Sequence, residues 1–169
     1  MSGRMLGAFL CVVAAAVSAG DRNPATDWMP EAKVGAFMHF LPGADTFARV
    51  EAFDVPAVAR QLAESGARYF VFTLGQNSGY MNAPNAAYDA AAGYAAGERC
   101  ARRDLPAELA AALKPHGIRL MLYLPCQTPN RDLQAIKAFG LPETPLNGDR
   151  KIDMAFARKW AEVIREWSQ

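Results

Sequence analysis

The chain has 169 residues, 51% of them apolar, with 18 basic side chains against 17 acidic ones. That length suits one domain with a buried core. The near-zero balance, without charge runs or a basic face, argues against nucleic acid or an anionic membrane surface as partner.

The chain opens with Arg4 followed by an apolar run, Met5 to Val17, and by small residues at Val17-Ser18-Ala19. This pattern predicts a secretory signal over residues 1–19, cleaved after Ala19 and shorter than the roughly 20 residues a membrane span needs. The product is then expected to be secreted or periplasmic and free of the membrane. Loss of Arg4 leaves 17 basic residues against 17 acidic ones.

Lys33 to Phe40, KVGAFMHF, reads as the first strand. Val55 to Glu64, VPAVARQLAE, reads as a helix with Val55, Val58, Ala59 and Leu62 on one face and Ser65-Gly66 as its stop. Arg68 to Leu74 is a run of apolar and β-branched residues without alternation, the pattern of a strand covered on both faces in a parallel sheet. It ends abruptly at Gln76, Asn77 and Ser78. A long loop rich in Ala, Asn, Gly and Tyr follows. Asp104 is then placed to cap a helix from Leu105 to about Lys114, with Pro106 in its first turn and Pro115-His116-Gly117 as its end. Ile118 to Leu124, IRLMLYL, is the third predicted strand, and Asp153 is placed to cap a last helix through Trp167.

Strand and helix thus alternate three times, the signature of a parallel α/β fold. The first strand leads into Leu41-Pro42-Gly43-Ala44-Asp45, which is no GxGxxG turn, so a doubly wound nucleotide-binding sheet is disfavoured. Long loops after the strands and short ones before them favour a (β/α)8 TIM barrel, whose chemistry sits at the carboxyl ends of the strands. A complete barrel takes about 250 residues, so the expectation is a partial barrel of about the first three βα units, residues 20–169, ending before a fourth strand.

Candidate site residues follow from that rim. His39 ends the first strand, and Gln76, Asn77 and Tyr80 follow the second. Two neutral amides and an imidazole can donate and accept hydrogen bonds to a polyol; alternatively they satisfy loop backbone groups or the core. Tyr80, Tyr88 and Tyr94 are open to either a sugar-stacking or a loop-packing role. Asp45, Glu51 and Asp89 fall in predicted rim loops, without any two being placed as a pair. Cys100 and Cys126 both follow predicted strands, so a bridge is geometrically open, although unpaired thiols are the favoured reading. Neither CxxC nor His-rich spacing points to a metal.

Five segments together resemble a known family: Trp28 with AKVGAFMHF at Ala32 to Phe40, Phe53-Asp54, GARYFVFT at Gly66 to Thr73, Arg103-Asp104-Leu105, and HGIRLMLYL at His116 to Leu124. In order and spacing they resemble the amino-terminal half of α-L-fucosidases, family 29 of the glycoside hydrolases. The resemblance implies a secreted retaining glycosidase on a (β/α)8 barrel, with a carbohydrate substrate and neither metal nor organic cofactor. It places His39 where the family has a histidine that reaches fucose hydroxyls, with Phe40 in place of a tryptophan. Where the family has a lysine, two histidines, an aspartate, a glycine and a phenylalanine, this chain has Gly75, Gln76, Asn77, Ser78, Gly79 and Tyr80. A different hydroxyl pattern should therefore fit. The family's nucleophile and acid/base lie at later strands, so no catalytic residue is expected among these 169, and the chain should be inactive alone. A non-hydrolytic sugar-binding relative is the alternative.

Overall fold

The computed structural model describes residues 23–41, 47–126, 129–141 and 154–168. The expected leader at residues 1–19, Asp45, and the expected cap at Asp153 lie outside them. The chain divides into two compact units, Met1–Glu31 and Ala32–Gln169. In the first, a turn at Asn23 leads into α1 (Trp28–Ala32), and the Trp28 indole donates to the Ala25 carbonyl at 2.8 Å.

The second unit is mixed α/β. β1 (Gly35–Met38), β2 (Tyr69–Thr73) and β3 (Arg119–Tyr123) form one parallel sheet in the order β1-β2-β3. Each strand is shorter at both ends than its apolar run. At β1 the cause is visible: Lys33 takes a left-handed backbone with φ 57° just before the strand, so pairing cannot extend through it. The sheet is open at both edges among the described residues, and the expected barrel is not closed by them.

Alternation along the strands sorts their side chains onto two faces. Ala36, Met38, Phe70, Phe72 and Leu120 join a core with α3 (Val55–Glu64) and α5 (Leu105–Leu113), through Val55, Ala59 and Leu62 from the first helix and Leu105, Leu109 and Leu113 from the second. Both helices start where expected. The Asp54 carboxylate accepts from Ala57 N at 2.9 Å and the Asp104 carboxylate from Ala107 N at 3.0 Å, each with proline in the first turn. The opposite face, carrying Phe37, Val71 and Met121 at paired positions and Tyr123 beyond them, is left open by the described residues: Phe37 is 53% exposed. The double coverage expected of β2 is therefore realised on one face only.

Four short helices were not anticipated: α1, α2 (Phe47–Glu51), α4 (Ala86–Ala92) and α6 (Leu133–Phe139). Asp89, expected in a rim loop, lies in α4 and is buried. Runs of five to seven residues carry too little apolar periodicity to stand out, and these helices exist through caps and docking rather than propensity. Together with α7 (Met154–Trp167), α4 and α6 build a second core of Tyr88, Phe139, Phe156, Trp160 and Val163. Glu166 near the end of α7 accepts from Ala86 N and Ala87 N at 2.7 and 2.8 Å, capping α4 from another helix. Asn85 donates to the Val163 carbonyl at 2.9 Å, and the Trp167 indole to that of Pro84, also at 2.9 Å.

Leu109 is fully buried between α5 and the sheet. Leu109→Ala is expected to lower unfolding free energy by about 2–5 kcal/mol, read as a drop in urea midpoint. An unchanged midpoint would mean that the α5 core is not as packed as described.

Candidate functional site

The carboxyl ends of β1 and β2 are stitched together by Asn82, whose side-chain amide donates to the carbonyls of Phe40 and Thr73 at 3.0 and 2.7 Å. Between β2 and Asn82 the chain makes a small loop from Gly75 to Met81, closed by an isolated bridge between those two residues. Gln76, Asn77 and Tyr80 all lie on it, half-buried, as the sequence placed them.

His39 is exposed beside this loop, and its Nε2 lies 2.9 Å from Gln76 Nε2. The roles are settled by the other end of the amide. Gln76 Oε1 accepts the Asn77 backbone N–H at 3.0 Å, so the NH2 group faces the imidazole and donates. His39 Nε2 is then an acceptor, and the ring proton sits on Nδ1. Phe37 and Tyr123 flank the histidine, with ring centroids 5.6 and 5.9 Å away, the tyrosine edge-on. Phe37 and Tyr123 also meet at 5.6 Å. The result is an open surface of three rings with a glutamine amide at its edge.

Sequence reasoning named His39 and Gln76 and missed Phe37 and Tyr123. Both were findable in principle, since Phe37 lies two residues before His39 and hence on the same face, while Tyr123 is the one polar-tipped residue late in an apolar run. What hid them was the assumption that this face is filled.

Asn77 and Tyr80 have different surroundings. The Asn77 carbonyl accepts from Arg131 N at 2.8 Å, which ties the loop to the segment before α6. Tyr80 lies under the Arg99 guanidinium, 4.4 Å from its ring centroid, and touches Phe47 at 5.9 Å. Arg99 also lies 5.1 Å from the Tyr94 ring, and its Nε is 3.5 Å from Asp132 Oδ2. Burial opposes the charge on Arg99, but the Asp132 carboxylate together with Tyr94, Tyr80 and Tyr88 outweighs it and holds the guanidinium more firmly protonated. Tyr94 donates to both Asp132 oxygens at 2.6 and 2.7 Å; burial, then that bond, push its hydroxyl above the usual range. Tyr88 is fully buried and donates to the Gly79 carbonyl at 3.2 Å. Tyr88 and Tyr94 therefore pack the loop down.

No pair of carboxylates lines the rim among the described residues. Asp132 is 5% exposed and also caps α6, accepting from Ala135 N at 3.2 Å. Asp89 is buried in α4, Asp104 caps α5, and Glu51 is exposed at the end of α2. Arg103 grips Glu108 at 2.8 and 2.6 Å and donates to the carbonyls of Val50, Glu51 and Phe53, so it fastens the turn before α3. That grip holds the Glu108 carboxyl below its ordinary range. No group of three or more His, Cys, Asp or Glu side chains is placed to hold a metal among the described residues. Nor is any described helix long and apolar enough to cross a membrane.

Comparison with protein families, with curated proteins and with solved structures finds no match to this chain.

Cys100 is a buried free thiol and Cys126 an exposed one. Burial, then the Asp89 charge, push the Cys100 thiol far up, so it is unreactive. A thiol reagent should therefore modify Cys126 in the native protein and reach Cys100 only on unfolding, as peptide mapping would show. Native labelling of Cys100 would contradict its burial.

Asp89 carries a related pH signature. Burial raises its carboxyl above the ordinary 3.8, a hydrogen bond from Cys100 opposes this, and Glu166 and Glu98 add to it. An acid raised on folding binds its proton more tightly in the native state, so stability is greatest below about pH 4 for this group and is lost as pH rises through the folded value. Asp89→Asn stays neutral. Its melting temperature should gain on the native chain's as pH rises from 3 towards 7, whereas a pH-independent difference would refute the assignment.

Proposed function

We propose that this chain is the sugar-handling part of a secreted or periplasmic carbohydrate-active protein related to α-L-fucosidases, with its three parallel strands belonging to a (β/α)8 barrel. The observation that carries this reading is the His39–Gln76 pair, 2.9 Å apart and exposed between Phe37 and Tyr123 at the carboxyl ends of parallel strands. Sugars present apolar C–H faces beside rows of hydroxyls, and a ring surface with neutral donors and acceptors at its edge matches both. Tyr123 offers the stacking face, His39 Nδ1–H and the amide edge of Gln76 the polar contacts, and Phe37 the floor. Asn77 and Tyr80 complete the loop, Tyr80 with its ring already covered by Arg99.

The parent is read as a retaining glycosidase, in which two carboxyl groups about 5 to 5.5 Å apart act as nucleophile and acid/base. The 169-residue chain by itself is read as binding without hydrolysis. A specific observation favours that second, non-hydrolytic reading for the chain alone: Asp132 and Asp89 are buried and engaged by Tyr94 and Cys100.

The test is NMR titration of the chain with a panel of methyl glycosides, including L-fucoside, alongside an aryl-glycoside assay. The expected outcome is shifts at His39, Gln76 and Tyr123 with one sugar preferred, no turnover, and affinity about tenfold weaker in Gln76→Ala, worth about 1.4 kcal/mol. Nitrogen shifts of the imidazole should report the Nδ1–H tautomer in the native chain and a mixture in that variant. Absence of sugar-dependent shifts would overturn the binding reading, and turnover would overturn the claim that the nucleophile lies elsewhere.

A further inference from the structure

The hydrogen bonds at His39 form a short chain that runs in one direction. Asn77 N–H donates to Gln76 Oε1 at 3.0 Å, and the NH2 group of Gln76 donates to His39 Nε2 at 2.9 Å. A backbone N–H is a donor only, and the side-chain amide donates at one end and accepts at the other. The chain therefore needs an imidazole whose Nε2 carries no proton.

His39 is exposed, so protons reach it from solvent. When the ring takes its second proton, Nε2 becomes a donor and faces the donor end of Gln76. Two donors cannot share a hydrogen bond. Turning the amide end for end restores the contact, because Oε1 then accepts from the N–H of a cation, a stronger bond than the neutral one it replaces. The same turn sets NH2 against Asn77 N–H, again donor against donor. Asn77 is half-buried, so its N–H goes over to water.

A swing of the imidazole away from the loop is opposed by its packing. Phe37 and Tyr123 flank the ring at centroid distances of 5.6 and 5.9 Å, and neither contact depends on the proton. The loop is held at its base by the bridge between Gly75 and Met81, and by Arg131 N on the Asn77 carbonyl at 2.8 Å. The Gln76 amide is the part left to turn.

The groups that face His39 are Phe37 from β1, the phenol of Tyr123 from β3 and uncharged Gln76 from the loop. Charged side chains meet this loop at Gly79 and Tyr80 rather than at Gln76: Asp132 lies against Gly79, Arg99 covers Tyr80, and the two are 3.5 Å apart. Arg131 meets it through its backbone. Among the described residues, His39 is in no ion pair.

We propose that His39 and Gln76 form a proton-driven switch. Above the histidine's transition the amide is locked towards Asn77; below it the amide turns, pairs with the imidazolium and releases the Asn77 N–H. The charge on an exposed side chain is thereby passed to the backbone of the loop. The consequence for a ligand, a rim that changes from neutral to cationic, rests on the sugar-binding reading, whereas the switch itself does not.

NMR of the native protein without sugar, from about pH 5 to 8, tests it. The ring carbons of His39, the side-chain NH2 of Gln76 and the backbone amide of Asn77 should shift with a single midpoint. Protection of Asn77 N–H from hydrogen exchange, corrected for the intrinsic effect of pH, should fall about tenfold on the acid side. His39→Ala should make that protection independent of pH. Gln76→Glu has an acceptor at both ends, so Asn77 should stay protected throughout. Titration of His39 that leaves Gln76 and Asn77 unmoved would overturn the switch, as would the same loss of Asn77 protection in either variant. With no sugar present, such a result leaves the binding reading standing, and a rim that ignores sugars leaves the switch standing.

Discussion

The rim depends on one buried carboxylate. Asp132 takes the Tyr94 hydroxyl on both oxygens, lies 3.5 Å from the Arg99 guanidinium and caps α6 through Ala135 N. It also presses against Gly79, where an added Cβ would come within 2.7 Å of Oδ2 while φ is 79°, so only glycine fits that turn. A carboxylate at 5% exposure persists only when its lone pairs are occupied, and here the occupants come from the segment after α4, through Tyr94 and Arg99, and from the first turn of α6, through Ala135 N. Removing the charge would strand a buried hydroxyl and a guanidinium at once.

That arrangement explains how a site can stand on a loop. Gly75 to Met81 is held at its base by the bridge between those residues and at its crown by Asp132, Arg131 and Tyr88. With the loop so held, the Gln76 amide is left with one free choice, its direction, and the Asn77 N–H makes it. Hydrogen-bonding geometry at His39 is thus decided by a backbone group, the Asn77 N–H, through the Gln76 amide.

The same economy leaves one face of the sheet unfinished. α3 and α5 cover the side of Phe70 and Phe72, whereas α4, α6 and α7 gather their own core around Tyr88, Phe139 and Trp160. Aromatic residues in the sheet therefore divide into a buried set that stabilises and an exposed set, Phe37 and Tyr123, available for contact.

Much of the order of elements was legible in the sequence. Apolar runs, aspartate caps and proline first turns marked β1 to β3, α3, α5 and α7, because those signals are local and each has a backbone cause. The positions of His39 and Gln76 at strand ends were legible for the same reason. The pairing of their side chains was not, since 37 residues separate them and only the parallel register of β1 and β2 brings them together. Nor could the sequence foretell that Tyr88 and Tyr94 pack inward, or that Asp132 and Arg99 meet across the loop. Those outcomes turn on which groups are buried together, a property of packing between distant segments rather than of any window of residues. Local chemistry thus determined the strands and their order, and tertiary burial alone decided which polar groups are spent on holding the loop and which remain exposed at its edge.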